Sequence, residues 1–273
     1  KNGPPRMSEQ QKKGPRPPHS AVIESKLQQA LAFHARGQLA LAEPLYREIL
    51  AQTPAHFDSL HLLGVLEGQR KNSALAVELI GRALGIDSNN ADAHSNFGNA
   101  LRDLKRPDEA LAAYERALQL RPDFVDALFN RGNALQDLKR PKEALASYDQ
   151  ALALKPDHPE AHYSRGNALR DLKRHEEALA AYDRAFAFNP HHLNAILNRG
   201  NALLDLQRPG EALAAYDRVL ALKPEFHEAH YNRGNALREL KRLEEALAAY
   251  DRALDLQPAQ PDALNNRGHT LRD

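Results

Sequence analysis

The chain has no cysteine and no tryptophan, and its single methionine is Met7. Without cysteine there is no disulfide, no thiolate metal site and no thiol nucleophile. Such a chain suits a reducing compartment, and a cytoplasmic location is expected. Neither sign of charge is in excess: 37 Lys and Arg stand against 36 Asp and Glu. That balance lacks the strong positive surplus of a nucleic-acid binder, so no nucleic-acid partner is expected. Long apolar runs are missing, and with them any expected membrane span or signal-peptide core. No P-loop, GxSxG or HExxH motif occurs, so neither an enzymatic activity nor a cofactor is expected of this chain. What is abundant is Ala, Leu, Arg, Asp and Glu, the profile of a mostly helical protein. Residues 1–22 differ, being rich in Pro, Gly and Lys without apolar periodicity. They read as a flexible N-terminal tail, with Met7 as the natural start and residues 1–6 as an extraneous remnant.

Beyond the tail the sequence repeats. Glycine recurs at Gly64, Gly98, Gly132, Gly166, Gly200, Gly234 and Gly268, each 34 residues after the last. Alanine (Ala76, Ala110, Ala144, Ala178, Ala212, Ala246), tyrosine (Tyr114, Tyr148, Tyr182, Tyr216, Tyr250) and proline (Pro122, Pro156, Pro190, Pro224, Pro258) keep the same period. A fixed period of this length is the mark of a solenoid. With Ala91 as position 1, the glycine is position 8, the alanine 20, the tyrosine 24 and the proline 32. Positions 2–14 and 18–31 read as two helices. The second carries Glu at position 19, in its first turn, where the helix dipole favours an acid.

Glycine inside a helix costs about 1 kcal/mol relative to alanine. Accepting that in every repeat makes sense if a second helix must approach the backbone there. Position 8, with the small residues at positions 20 and 27, forms a set of notches. The tyrosine at position 24 and apolar residues at positions 11 and 28 are the knobs. Each helix alone is marginal, so stability is shared along the stack.

This set of small and large residues resembles the signature of the tetratricopeptide repeat family over residues 23–273. Seven repeats are expected over 23–260, followed by a half repeat, 261–273, that is the first helix of an eighth. The resemblance implies an all-α fold, an α-solenoid of helix-turn-helix repeats wound as a right-handed superhelix. The first repeat is irregular: Ala30 replaces the glycine, and Pro44 falls inside an expected helix.

Packing does not explain the asparagines of the recurring hexapeptide "NRGNAL". Position 6 reads Asn96, Asn130, Ser164, Asn198, Asn232, Asn266, and position 9 reads Asn99, Asn133, Asn167, Asn201, Asn235, His269. Position 2 reads Asp92, Asp126, Glu160, Asn194, Glu228, Asp262, and position 13 reads Asp103, Asp137, Asp171, Asp205, Glu239. These four positions share one helical stripe. By resemblance to the family, the stripe lines the concave groove. An asparagine amide can pair with a peptide group through both its N–H and its C=O, so stacked rows can hold an extended protein or peptide segment by its backbone. Hydrogen bonding from repeat to repeat competes with that reading. The aromatics Phe129, Tyr163 and Tyr231 at position 5 either grip ligand side chains or cover the repeat contact.

"ADAHSNFGNAL" (Ala91–Leu101) is similar to the superhelical repeat region of protein O-linked N-acetylglucosamine transferases. That resemblance implies an asparagine ladder through Asn96, Asn130, Asn198, Asn232 and Asn266 that holds substrate backbones, with Asp92 and Asp126 contributing to substrate choice. Ser164 and Asn194 interrupt the rows, and nothing in the chain looks like a glycosyltransferase catalytic domain. The lysines that a chaperone-tail clamp requires at positions 2 and 5 are missing from Ala91 onward.

Arginine at position 7 (Arg131, Arg165, Arg199, Arg233) accompanies aspartate at position 25 of the same repeat, suggesting an Arg–Asp contact between its two helices. The 13 histidines lie mostly near inter-repeat turns or at position 4, without a recurring carboxylate partner, so no metal is expected. Three functions follow as expectations. The first is a scaffold that binds protein segments. The second is the substrate-recruiting arm of a glycosyltransferase. The third is a homo-oligomer formed by end-to-end stacking of the uncapped half repeat.

Overall fold

The computed structural model describes residues 18–272, which form helices joined by tight turns, with no strand among them. The fold is all-α, built from tandem helix pairs, as the period requires. Two compact units divide the chain, Lys1–Lys105 and Arg106–Asp273. The first holds α1 (Pro18–Ala35), α2 (Leu39–Gln52), α3 (Phe57–Gln69), α4 (Ser73–Ile86) and α5 (Ala91–Asp103). The second opens with α6 (Pro107–Leu120). Four pairs follow: α7 (Val125–Asp137) with α8 (Pro141–Leu154), α9 (Pro159–Asp171) with α10 (His175–Phe188), α11 (Leu193–Asp205) with α12 (Pro209–Leu222), and α13 (His227–Glu239) with α14 (Leu243–Leu256). Helix α15 (Pro261–Thr270) ends the unit. Because α1 begins at Pro18, residues 18–22 are helical rather than part of the tail. The rest of that stretch, with Met7, lies outside the described residues.

The helices start and stop one residue earlier than the sequence suggests, for identifiable reasons. Pro107, Pro141 and Pro209 occupy the first turn of their helices, where a missing N–H is no loss. At the far end, Lys155 precedes Pro156 and is driven to φ −133°, ψ 86°, because a following proline disfavours the helical region. Between the two helices of a repeat, position 15 adopts a left-handed conformation: Lys71, Lys105, Lys139, Lys173, Gln207 and Lys241 have φ between 58° and 68°. Gly37 stands at the same position of the first repeat with φ 71°. The reversal closes a Schellman turn in which, for example, Arg140 N–H donates to the Leu135 carbonyl at 2.8 Å and Lys139 N–H to Gln136 at 3.0 Å.

Packing repeats with the sequence. In the second unit Tyr182, Tyr216 and Tyr250 are fully buried and Tyr148 nearly so. A Cβ added at Gly132, Gly166, Gly200 or Gly234 would lie 2.5 Å from the ring of Tyr148, Tyr182, Tyr216 or Tyr250 respectively. The glycine is therefore the seat of its own repeat's tyrosine. In the first unit the same notch, Gly64, receives Ile80, whose Cγ1 would be 2.6 Å from an added Cβ. There Tyr46, Ile49, Leu60, Leu63 and Leu66 form the centre of the core. Pro44 lies inside α2 without ending it.

The arginine–aspartate contact exists, but its register differs from the expected one. Arg165 Nε bonds Asp149 at 2.6 Å, Arg199 bonds Asp183 at 2.5 Å and Arg233 bonds Asp217 at 2.7 Å, and Arg267 bonds Asp251. Each aspartate belongs to the preceding repeat, because the first helix of one repeat packs on the second helix of the last. Arg131 follows a repeat that carries Glu115 instead, and bonds Ser147 Oγ and Gln150 Oε1 of its own repeat, both at 2.9 Å.

Candidate functional site

The stripe of positions 2, 6, 9 and 13 forms on the first helices. Its outer rows are exposed: Asp92, Asp126, Glu160 and Glu228 at position 2, and Asp103, Asp137, Asp171, Asp205 and Glu239 at position 13. In the second unit the inner rows are half-buried: Asn130, Ser164, Asn198, Asn232 and Asn266 at position 6, and Asn133, Asn167, Asn201 and Asn235 at position 9. In the first unit Asn96 is half-buried and Asn99 exposed.

The inner rows are cross-linked. Within a repeat, the buried tyrosine hydroxyl donates to the position 9 oxygen: Tyr148 to Asn133 at 2.9 Å, and Tyr182 to Asn167, Tyr216 to Asn201 and Tyr250 to Asn235 at 2.8 Å. Across the repeat boundary, the same oxygen accepts the Nδ2 of the next position 6 asparagine: Asn198 to Asn167 at 2.9 Å, Asn232 to Asn201 at 3.0 Å and Asn266 to Asn235 at 2.9 Å. A hydroxyl in the core requires such a partner. Burial pushes the Tyr250 hydroxyl up to about 12 and raises those of Tyr182 and Tyr216 further, which keeps them protonated donors.

The aromatics of position 5 join this network. Phe129, Tyr163 and Tyr231 lie 6.0 to 6.1 Å, ring to ring, from the tyrosine of their own repeat. Tyr163 and Tyr231 hydroxyls accept the Nδ2 of Asn198 at 3.4 Å and of Asn266 at 3.0 Å. In the first unit His61 takes the same place, its Nε2 3.0 Å from Asn96 Nδ2.

These bonds fix how the amides point. Position 9 uses its oxygen inward, which leaves the Nδ2 of Asn133, Asn167 and Asn235 without a protein partner among the described residues. Position 6 uses its nitrogen inward, which leaves the Oδ1 of Asn232 and Asn266 without a protein partner among the described residues. Asn198 is the exception: its Oδ1 accepts Asn201 Nδ2 at 3.2 Å and Arg170 at 3.4 Å. One row thus offers donors and the other acceptors.

The sequence reading did not assign roles to the tyrosine hydroxyl or to the position 34 histidines. The signal for the first was present: position 24 is tyrosine five times from Tyr114 to Tyr250 and never phenylalanine. The second cap helices: His56, His158 and His192 accept the N–H of Ser59, Ala161 and Ala195 at 3.2, 3.4 and 3.1 Å. Histidines at position 4 serve the repeat turn, as where His162 Nε2 meets the Pro156 carbonyl at 2.8 Å. Among the described residues no group of three or more His, Asp or Glu is arranged to hold a metal ion, and no helix is long and apolar enough to cross a membrane.

Helix pairs stacked through a glycine–tyrosine notch and joined by an asparagine network define a tandem-repeat helical protein. The chain belongs to the tetratricopeptide repeat family, whose profile matches residues 27–91, 129–191 and 197–261, and a second repeat profile of that family matches 98–139. Among solved structures it is similar to YrrB, described as a TPR protein with an unusual peptide-binding site, at 28% identity and a TM-score of 0.62 over 70% of this chain and 99% of that one. It is also similar to MamA, at 26% identity and a TM-score of 0.57 over 59% of this chain and 94% of that one. PilF of Pseudomonas aeruginosa, at 23% identity and a TM-score of 0.68 over 77% and 96% of the two chains, shares the fold. No curated protein sequence matches.

Proposed function

We propose that this chain is a protein-interaction scaffold that holds an extended protein or peptide segment along the face of its first helices, through the two asparagine rows. The observation that carries this reading is the opposite polarity of the rows. Outward Nδ2 groups of Asn133, Asn167 and Asn235 suit main-chain carbonyls, and outward Oδ1 atoms of Asn232 and Asn266 suit main-chain N–H groups. An extended segment presents both kinds of group along its length, so the face reads backbone more than side chains. The exposed acids Asp126 and Glu160 border the rows and favour segments without excess negative charge. The peptide-binding site named for YrrB supports a similar use of the fold.

Main-chain recognition is tested on the ligand, which leaves the protein network intact. A peptide selected from a random library is N-methylated one residue at a time. Affinity falls about fivefold at each amide that meets the position 6 row, the worth of about 1 kcal/mol per hydrogen bond, while side-chain exchanges matter less. Uniform tolerance of N-methylation would sink the reading.

Two narrower readings rest on single observations. The asparagine row at position 6 favours a substrate-recruiting role for a glycosyltransferase of the O-linked N-acetylglucosamine class, tested by capture of acceptor peptides. Exposed Leu264 and Leu271, at 52% and 59%, favour association of copies through apolar side chains at and just beyond α15. Light scattering across concentration tests that, and a strict monomer at high concentration contradicts it.

A further inference from the structure

In the second unit the position 9 oxygen takes two hydrogen bonds at three successive rungs, Asn167 with Asn198, Asn201 with Asn232 and Asn235 with Asn266. The rung at Asn133 is built differently. Tyr148 donates to Asn133 Oδ1 at 2.9 Å, but the next position 6 residue is Ser164. Its shorter side chain makes no hydrogen bond among the described residues. Asn133 therefore keeps one lone pair and both Nδ2 protons. The neighbouring position 5 residue changes with it: Phe129 stands where Tyr163 and Tyr231 supply a hydroxyl to Asn198 and Asn266. The rung thus lacks the asparagine amide and the tyrosine hydroxyl together. It retains an apolar ring, that of Phe129, half-buried and 5.0 Å from His158.

We propose that this rung is a pocket for a carboxamide side chain of a bound segment, best a glutamine. The inference rests on the groove reading above and adds a side-chain anchor to it. The ligand amide replaces the missing asparagine: its N–H donates to Asn133 Oδ1 and its oxygen accepts the Ser164 hydroxyl. The two methylenes of glutamine lie against Phe129. Glutamate has no proton to offer Asn133 Oδ1, and it is repelled by the exposed acids Asp126 and Glu160 of the adjoining row. One open rung among closed ones also sets register, because a backbone reader alone lets an extended chain slide.

Acetamide is the simplest probe, with acetate and methylammonium as its charged counterparts, followed on the Asn133 and Asn167 side-chain amide resonances. Acetamide moves the Asn133 signals and leaves those of Asn167 in place. Ser164→Asn, which rebuilds the rung found in the other repeats, weakens that response at least about fivefold, the equivalent of about one hydrogen bond. Ser164→Ala keeps the space, removes one bond and gives an intermediate response. An Asn133 response absent in the wild type, unchanged in Ser164→Asn, or matched by acetate or methylammonium overturns the proposal. The wider reading fails separately: peptides captured with equal affinity by wild type and Ser164→Asn contradict the anchor while leaving groove binding in place.

Discussion

Tyr216 donates its buried hydroxyl to Asn201 Oδ1 at 2.8 Å, and the same oxygen accepts Asn232 Nδ2 at 3.0 Å from the next repeat. One atom thereby ties the inside of a repeat to its neighbour. In a solenoid, where stability is a sum of repeat and interface contributions, such an atom acts on both. Tyr216→Phe keeps the ring over Gly200 and removes the donor. The expected loss is about 1 kcal/mol, the net worth of a neutral hydrogen bond, read from urea unfolding. A variant as stable as the wild type would show that the hydroxyl is spectator to packing.

The notch makes a second prediction. Gly166→Ala gains about 1 kcal/mol of helix propensity but sets a methyl 2.5 Å from Tyr182 Cε1. Overpacking of this kind costs about 1–3 kcal/mol, so the variant is expected to be destabilised despite the better helix former. Trimming the knob relieves the clash: in the double variant with Tyr182→Leu, the loss is smaller than the sum of the two single losses, because residues in contact are coupled. Simple additivity would contradict the notch.

Position 15 predicts a gain. A left-handed lysine carries a penalty of about 1–2 kcal/mol, and glycine gives back about 0.5–1 kcal/mol through its freedom in the unfolded chain. Lys173→Gly should therefore raise stability by up to about 1 kcal/mol, seen as a higher melting temperature. Gly37 already occupies this position in the first repeat with φ 71°. A lower melting temperature would mean that the lysine side chain contributes more than its backbone costs.

Acid acts on the first unit through His61. Burial lowers its pKa from the ordinary 6.5, with Asp92 and Asp58 opposing the shift. Asn96 Nδ2 approaches its Nε2 at 3.0 Å, which requires that nitrogen to be unprotonated. A base with a lowered folded pKa contributes stability that is complete above the unfolded value and is lost as pH falls toward the folded one. Stability of the first unit should therefore decline as pH drops below 6.5. His61→Phe flattens that decline. A His61 ring that titrates at or above the free value in an NMR titration contradicts this assignment.

How far the sequence went varied with the kind of interaction. The glycine–tyrosine notch was legible because sterics leave a mark that composition preserves: small against large, at fixed spacing. The partners of the position 7 arginines were legible as residue types but not in register. In a strictly periodic chain an aspartate in the same repeat and one in the preceding repeat look alike. The bonds themselves set the register, as where that of Arg267 runs back to Asp251 of the preceding repeat. The left-handed lysines were not legible, since lysine has no preference for that conformation and only Gly37 betrays it. For the asparagines, the sequence offered the stripe and both uses of it. The bonds between repeats became visible only when hydroxyls and amides were brought to within 3 Å or so of one another by the packing.

The polarity of the two rows is the centre of the account, and side-chain amide exchange measures it directly. With the asparagine side chains resolved by NMR, the Nδ2 protons of Asn232, which donate to Asn201, should exchange more slowly than those of Asn235, which face outward. Addition of a selected peptide should then slow Asn235 while leaving Asn232 nearly unchanged. Faster exchange at Asn232 than at Asn235 in the free protein, or no change at Asn235 when peptide binds, would contradict it.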